Sequence, residues 1–328
     1  MGWWWRKRNK KLILERGAKL LKDLIEFGHG RSNPIKFFSA YEILKATNNF
    51  SVSNFVYVIF GCQWYSGKNE NHPMILIKKD AFSLGVDLVC RDIAVSSMVS
   101  GHKNFMKLVG CCLELEHPAM VYHGVKKHYR LEISEETWKK RMKIAEDIAT
   151  ALAYLHTAFP RPFVYRVLSS LNILLDEDGV AKLTDFSYCV SIPEGETFVR
   201  VERPAEGFYS LFSDNYVRSG LVSDKTDVFS FGIFIGHTLL LGNESFFEHY
   251  PGGEEVRNLL STLKEDRRME EIADPKMLEM MGQISEQERC QMKAFLKLSL
   301  RCTGPSEEVP TMVEVAKELK KIQRSLYI

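Results

Sequence analysis

Apolar and small residues recur at Ile13/Leu14, Gly17/Ala18, Leu20/Leu21, Leu24/Ile25 and Phe27, with basic residues between them. That spacing predicts a helix over 11–27 with one broad apolar stripe. A Gly-His-Gly-Arg-Ser-Asn-Pro run at 28–34 ends it. Such a stripe suits three uses: packing on its own domain, docking a partner, or lying on a membrane surface. The pattern then turns to short β-rich runs, FVYVIF (55–60) and MILIKK (74–79), on either side of the turn-like SGKNENHP. Residues 139–156 are again amphipathic and helical, and short strand-like runs follow at FVY, NILL and AKLTDF. From about 224 the helical period dominates, over 224–241, 254–264, 286–302 and 309–325. A strand-rich first third before a helix-rich remainder predicts two unequal lobes and an α+β fold.

Composition sharpens this outline. At 328 residues with 45% apolar content the chain can bury a substantial core. Its formal charge of +2 is unevenly placed, with ten Lys/Arg against three Asp/Glu in residues 1–36, a net of +7. The remainder carries a net of −5, so a basic arm precedes a mildly acidic body. Confinement of the basic residues to one short arm, with no accompanying motif, argues against nucleic acid. Seven Cys without C-x-x-C spacing give neither a disulfide framework nor a zinc site, and fit a reduced, cytoplasmic compartment. The longest apolar run, Phe229 to Gly242, is too short to span a bilayer and reads as a buried core helix. Trp3-Trp4-Trp5 meets Arg6-Lys7-Arg8 at once, unlike a secretory signal, and Arg6 stands where a myristoylation motif has Ser or Thr.

Residues 163–187, FVYRVLSSLNILLDEDGVAKLTDFS, have the layout of a protein-kinase catalytic loop followed by its magnesium loop. Five blocks, FSAYEILKATNNFS (38–51), HKNFMKLVGCCLE (102–114), IAEDIATALAYLH (144–156), NILLDEDGVAKLTDF (172–186) and SDKTDVFSFG (223–232), resemble plant receptor-like cytoplasmic kinases in order and spacing. The WWWRKR opening, SNPIKFFSA, SGKNENH, YHGVKKHY and SIPEGETF resemble the ZRK group of plant pseudokinases. The resemblance implies a bilobal protein-kinase-like fold with a small β-rich N-lobe and a larger α-helical C-lobe. The expected division is a basic arm at 1–36, an N-lobe at 37–122 and a C-lobe at 123–328.

Set on that pattern, the catalytic residues are eroded. Tyr165-Arg166-Val167 stands in place of His-Arg-Asp, and a Val side chain cannot accept a proton. Ser169 replaces the catalytic-loop Lys, and no acid occurs from 165 to 172. Tyr57, Ile59 and Cys62 occupy the three Gly positions of the phosphate loop, with only Gly61 and Gly67 nearby. Lys78 keeps the phosphate-pairing Lys position, and Asp92 is the best candidate for its acidic partner. Asn172 and Asp185 match the magnesium-ligand positions, so Lys78, Asn172 and Asp185 leave open a weak ATP/Mg site with no cofactor required. Ser187 replaces the Gly after Asp185-Phe186. Asp214-Asn215-Tyr216 and Val309 stand where kinases carry the two halves of a buried ion pair, so neither half strands a charge. Asp227 and Arg166 are retained, the former as a brace of the catalytic loop. Only 15 residues separate Tyr122 from Trp138, which shortens the hinge region.

A positioned base contributes about 10²–10⁴-fold in rate, and phosphate positioning supplies much of the rest. With both damaged, the expectation is a pseudokinase rather than an enzyme. The resemblance implies an adaptor for a coiled-coil nucleotide-binding leucine-rich-repeat (NLR) immune receptor, sensing bacterial effectors or the active receptor-like cytoplasmic kinases they modify. It places receptor docking on the N-terminal portion, at Leu20, Leu21, Leu24 and Ile25. It places effector-linked recognition on the activation segment, at Ser191, Thr197 and Ser210. The alternatives left open are a weak Ser/Thr kinase and a membrane-surface scaffold that recruits the chain to the plasma membrane.

Overall fold

The computed structural model describes residues 2–28, 35–59, 61–69, 74–80, 85–124, 129–201, 219–243, 253–263, 268–304 and 308–324. The chain divides into two units. The first comprises Met1–Tyr129 with Leu174–Asp178 and Lys182–Cys189. The second comprises Arg130–Ile173, Gly179–Ala181 and Val190–Ile328.

A six-stranded sheet organises the first unit. Its strands are β1 (Lys36–Phe37), β2 (Phe55–Ile59), β3 (Cys62–Gly67), β4 (Ile75–Asp80), β5 (Leu108–Cys112) and β6 (Ala119–His123), in spatial order β1-β5-β6-β4-β3-β2. Side chains alternate across the pleat. Tyr65, Ile75, Ile77, Cys112, Ala119 and Val121 therefore share one face and form a core with Phe38 and Ile43. Ile43 comes from helix α2 (Ala40–Ala46), started by a capping box in which Ser39 and Glu42 satisfy each other's backbone N–H groups. Strand β1 runs parallel to β5, with Lys36 opposite Gly110. A side chain at Gly110 would overlap the Lys36 carbonyl, so this pairing requires glycine.

Of the three uses that suit the stripe at 11–27, packing on its own domain is seen for one side of helix α1 (Gly2–Gly28), which is built into this unit. It lies against helix α3 (Val86–Val99). The broad apolar stripe divides in two. Leu20 and Phe27 turn inward, each worth about 1.5–3 kcal/mol of burial. Leu14, Leu21 and Ile25 stay exposed, and Leu24 is half-buried. The physical reason for the docking is Arg16. Its buried guanidinium donates to the carbonyls of Leu113 (2.7 Å), Leu115 (2.6 Å) and Glu116 (2.6 Å), closing the turn that leaves β5. Asp23, also buried, pairs with Lys19 at 3.3 Å, and Lys19 reaches Asp87 of α3 at 3.5 Å. Charged residues at 16 and 23 hid this inward face from a purely apolar reading.

The second unit is mainly helical. Helix α4 (Trp138–Thr157) is its central element, flanked by helices at Asp224–Ile233, Glu286–Cys302 and Met312–Arg324. Trp138 donates to Gln291 at 3.2 Å and meets Phe295 edge-on at 5.0 Å. Fully buried Arg141 donates to the carbonyls of Ile133, Glu136 and Leu239 and pairs with Asp274 at 2.5 Å. The helix expected over 224–241 widens into a π-helix at Phe234–Leu240, where Gly236 allows close approach to Ser299 and Leu260. Among the described residues no helix is long and apolar enough to cross a membrane.

Candidate functional site

The sheet face opposite the Ile43 core carries Lys78. Cross-strand register sets Trp64 opposite Tyr57 and Lys78, and Lys78 opposite Met120. Leu76 and Tyr122 are opposite each other and two positions along on the same face. Trp64 stacks on Tyr122 at 5.5 Å, and Tyr57 leans on Trp64 at 5.7 Å, making a column of three rings. In the kinase patterns G-x-G-x-x-G-x-V and V-A-I-K, Trp64 stands at the Val and Leu76 at the Ala. Two positions that are small or medium in those patterns are thus filled by large side chains. The cavity left beside Lys78, lined by Cys62, Val89, Pro118 and Met120 among others, holds about 10 Å³. That is room for one water, against roughly 300–1,000 Å³ for a ligand pocket. Burial pushes the Cys62 thiol up to about 12 and the Tyr57 phenol further. Neither is a nucleophile or base there.

Lys78 is occupied as well. Its Nζ lies 2.6 Å from Asp92 of α3 and 3.5 Å from Asp185. All three side chains are largely buried. Asp92 further accepts from Ser96 (3.1 Å) and from the Phe186 N–H (2.9 Å). Asp185 accepts from the Ser187 hydroxyl at 2.6 Å, so the residue that replaces glycine ties the carboxylate to its own loop. Asp185 holds φ 63°, a left-handed conformation that these bonds stabilise. Burial works against the ammonium, but Asp185 and Asp92 outweigh it and hold Lys78 well above the ordinary lysine pKa. Burial also opposes ionisation of Asp185, yet Lys78 and Ser187 keep it below the usual range, whereas burial dominates at Asp92 and raises it.

In the second unit the catalytic-loop segment keeps its brace. Asp227 accepts from the backbone N–H groups of Tyr165 and Arg166, each at 2.8 Å, and lies 2.8 Å from His156. Val167 is buried at the base position, and its carbonyl accepts from the Asn172 amide at 3.0 Å. The Ser169 hydroxyl accepts from the Leu171 N–H at 3.2 Å. The loop keeps its hydrogen-bonded brace, and the buried Val side chain at the base position cannot move a proton. Val309 is buried and apolar, with its carbonyl bound by Lys225 at 2.7 Å.

The structure thus brings Lys78, Asp92 and Asp185 together, while Tyr165, Val167, Ser169 and Asn172 share the braced loop. Of the activation-segment residues, Thr197 is exposed, Ser191 is buried, and Ser210 lies outside the described residues. Asp214-Asn215-Tyr216 also lie outside them. Sequence reasoning missed Trp64, Leu76 and Tyr122. Only Leu76 carried a local signal, two positions before Lys78 on the same strand; Trp64 and Tyr122 reach that face through strand pairing.

Residues 44–300 match the family model of the protein tyrosine and serine/threonine kinases. Three relatives from Arabidopsis thaliana align over nearly the whole chain. A probable inactive receptor-like protein kinase is 76% identical over 100% of this chain and 93% of its own length. The inactive serine/threonine-protein kinase ZRK12 is 64% identical over 100% of this chain and 83% of its own length. The non-functional pseudokinase ZRK15 is 51% identical over 98% and 96% respectively.

Proposed function

Because the chain belongs to the protein tyrosine and serine/threonine kinase family, within its ZRK group, we propose that it serves as an adaptor for a coiled-coil NLR immune receptor. It is a catalytically inactive kinase-like protein with a β-sheet first lobe and a mostly helical second lobe. One observation supports the adaptor reading above the others. Asp227 still braces the catalytic loop, while a buried Val occupies the position of its base. A fold kept in order after its chemistry is lost is a fold kept for binding.

In this reading the work is done in the cytoplasm and without nucleotide. Lys78 is neutralised by two carboxylates, and the face around it is filled by Trp64, Leu76 and Tyr122. The sensing surface is the exposed stretch 194–198 around Thr197, which presents Phe198 to solvent. An effector-modified kinase, or an effector acting on this chain, would be read there.

Tagged chain expressed in plant leaf should bring down a coiled-coil NLR equally with and without MgATP. Replacing residues 194–198 by a Gly-Ser sequence should leave that capture intact and abolish recovery of the modified kinase or effector. Absence of any NLR, or capture only with MgATP, would contradict the proposal.

A further inference from the structure

A cavity of about 200 Å³ opens in the first unit, and none of its lining enters the Lys78 site or the adaptor reading. Lys36 of β1, Tyr41, Glu42 and Lys45 of α2, and Lys68 and Asn69 just after β3 surround it. Local bonds build its walls. The Lys68 N–H donates to the Ala46 carbonyl at 3.3 Å, and a side chain at Gly67 would press on that same carbonyl at 3.0 Å. The chain leaving β3 therefore lies against the last turn of α2. Lys36 is steered from two sides, its Nζ 3.5 Å from Glu42 and 4.4 Å from the centre of the Phe38 ring. Glu42 is fixed in turn by the Ser39 N–H at 2.8 Å and hydroxyl at 3.0 Å, and these bonds hold its carboxyl below the usual range.

Charge selects the ligand. Three lysines stand against one glutamate, a net of +2 among the lining residues. All three lysines are exposed, so their ammonium groups can meet an anion at little cost in desolvation. A phosphate monoester carries about −1.5 to −2 near pH 7 and balances that charge, where one carboxylate would leave an excess. Lysine binds phosphate as a point charge, and the Asn69 amide adds a donor. Room decides between a free ion and a larger group. One water needs about 10–15 Å³ of such space, so a lone phosphate ion would leave most of the cavity open. The ring of Tyr41, 73% exposed, would also go unused. A phosphorylated side chain with its flanking peptide fills more of the space and brings apolar atoms to that ring.

We propose that this cavity binds a phosphorylated side chain of a partner protein. Lys36, Lys45 and Lys68 surround the phosphate, Asn69 donates to it, and Tyr41 packs on the adjoining peptide. Glu42 holds Lys36 in place for this task. The site uses neither the catalytic loop nor Lys78, so it works in a chain whose phosphotransfer chemistry is lost. It gives the first unit a means of telling a phosphorylated partner from an unphosphorylated one, whichever receptor the chain serves.

The test uses full-length protein and fluorescein-labelled Gly-Ala-X-Ala-Gly peptides, with X phosphoserine, phosphotyrosine or serine, read by fluorescence anisotropy. At least one phosphopeptide should bind and the serine peptide should not. Binding should weaken at about 0.5 M salt. Lys45→Ala/Lys68→Ala, both at exposed positions, should melt like the parent and bind at least about tenfold more weakly, while Lys45→Arg/Lys68→Arg keeps binding. Inorganic phosphate and AMP should compete at least about tenfold less well than unlabelled phosphopeptide. The proposal is overturned if neither phosphopeptide binds, or if Lys45→Ala/Lys68→Ala binds as well as the parent does. Equal loss in Lys293→Ala/Lys297→Ala, two exposed lysines of the Glu286–Cys302 helix, would overturn it too, as the mark of unspecific charge attraction. So would inorganic phosphate or AMP competing as strongly as the peptide, the mark of a free-anion site.

Discussion

Substituting Lys78→Met puts the reading of the buried triad at risk, because the same residue in an active kinase serves phosphate. Here it faces two carboxylates, at 2.6 Å and 3.5 Å, in a site with room for one water. At an effective dielectric of about 20, those separations correspond to roughly 6 and 5 kcal/mol of attraction. Desolvation of three charges offsets much of that. The decisive quantity is what remains after the ammonium goes: Asp92 and Asp185 would face each other uncompensated. Breaking a buried pair in this way costs about 3–5 kcal/mol. The unit that contains the triad should then melt about 10 °C lower, with each kcal/mol worth roughly 2–4 °C for a domain of this size. Circular dichroism melts and urea titration read this directly. Lys78→Met/Asp92→Leu, which removes the cation and one carboxylate together, should recover most of the loss. A Lys78→Met protein within about 1 kcal/mol of the parent, at unchanged m-value, would refute the argument. It would show that the ammonium carries little structural role.

Three further outcomes follow from individual contacts. Arg16→Ala removes the three carbonyl bonds that hold α1 and should cost about 2–3 kcal/mol; hydrogen exchange should speed up in α1 first, and unchanged protection there would argue that α3 contacts alone suffice. Gly110→Ala forces β1 away from β5 and should cost roughly 1–3 kcal/mol, read by urea unfolding, whereas a neutral effect would mean that the strand pairing is dispensable. Burial lowers the His237 pKa to about 4, so the unfolded chain takes up a proton below about pH 6.5 while the folded one stays neutral. Stability from this group is complete above about pH 6.5 and is lost as pH falls towards 4, by about 3 kcal/mol in all. Melting curves of the parent and of His237→Gln should therefore converge in the acid range, and parallel curves would contradict this.

Much of the fold was legible in the sequence because period-2 and period-3.6 patterns are local. The strands at 55–59 and 75–80 and the helix at 138–157 lie where alternation and amphipathicity put them. The loss of the base was also legible, since Val167 needs no partner to be read. What escaped depended on cross-strand register. Trp64, Leu76 and Tyr122 converge on Lys78 only once β3, β4 and β6 are paired, and nothing local in QWYSG announces it. The Lys78–Asp92 link was left open because Asp is a carbon shorter than the family's Glu; the site closes through Ser96 and the Phe186 N–H, which hold Asp92 from its other side. On α1 the apolar stripe was seen as one band. Its division into buried and exposed halves was hidden by Arg16, a basic residue whose partners are carbonyls about a hundred positions away.

The measurement that tests the central claim most directly is a titration of MgATP into purified protein, followed by melting temperature, with labelled-phosphate transfer measured on the same samples. Parent and Val167→Asp are compared. Neither protein should show a saturable rise in melting temperature or any transfer, because restoring a base does not restore room beside Lys78. A saturable rise in the parent, or transfer that appears with Val167→Asp and disappears when Asp185→Ala is added, would contradict it.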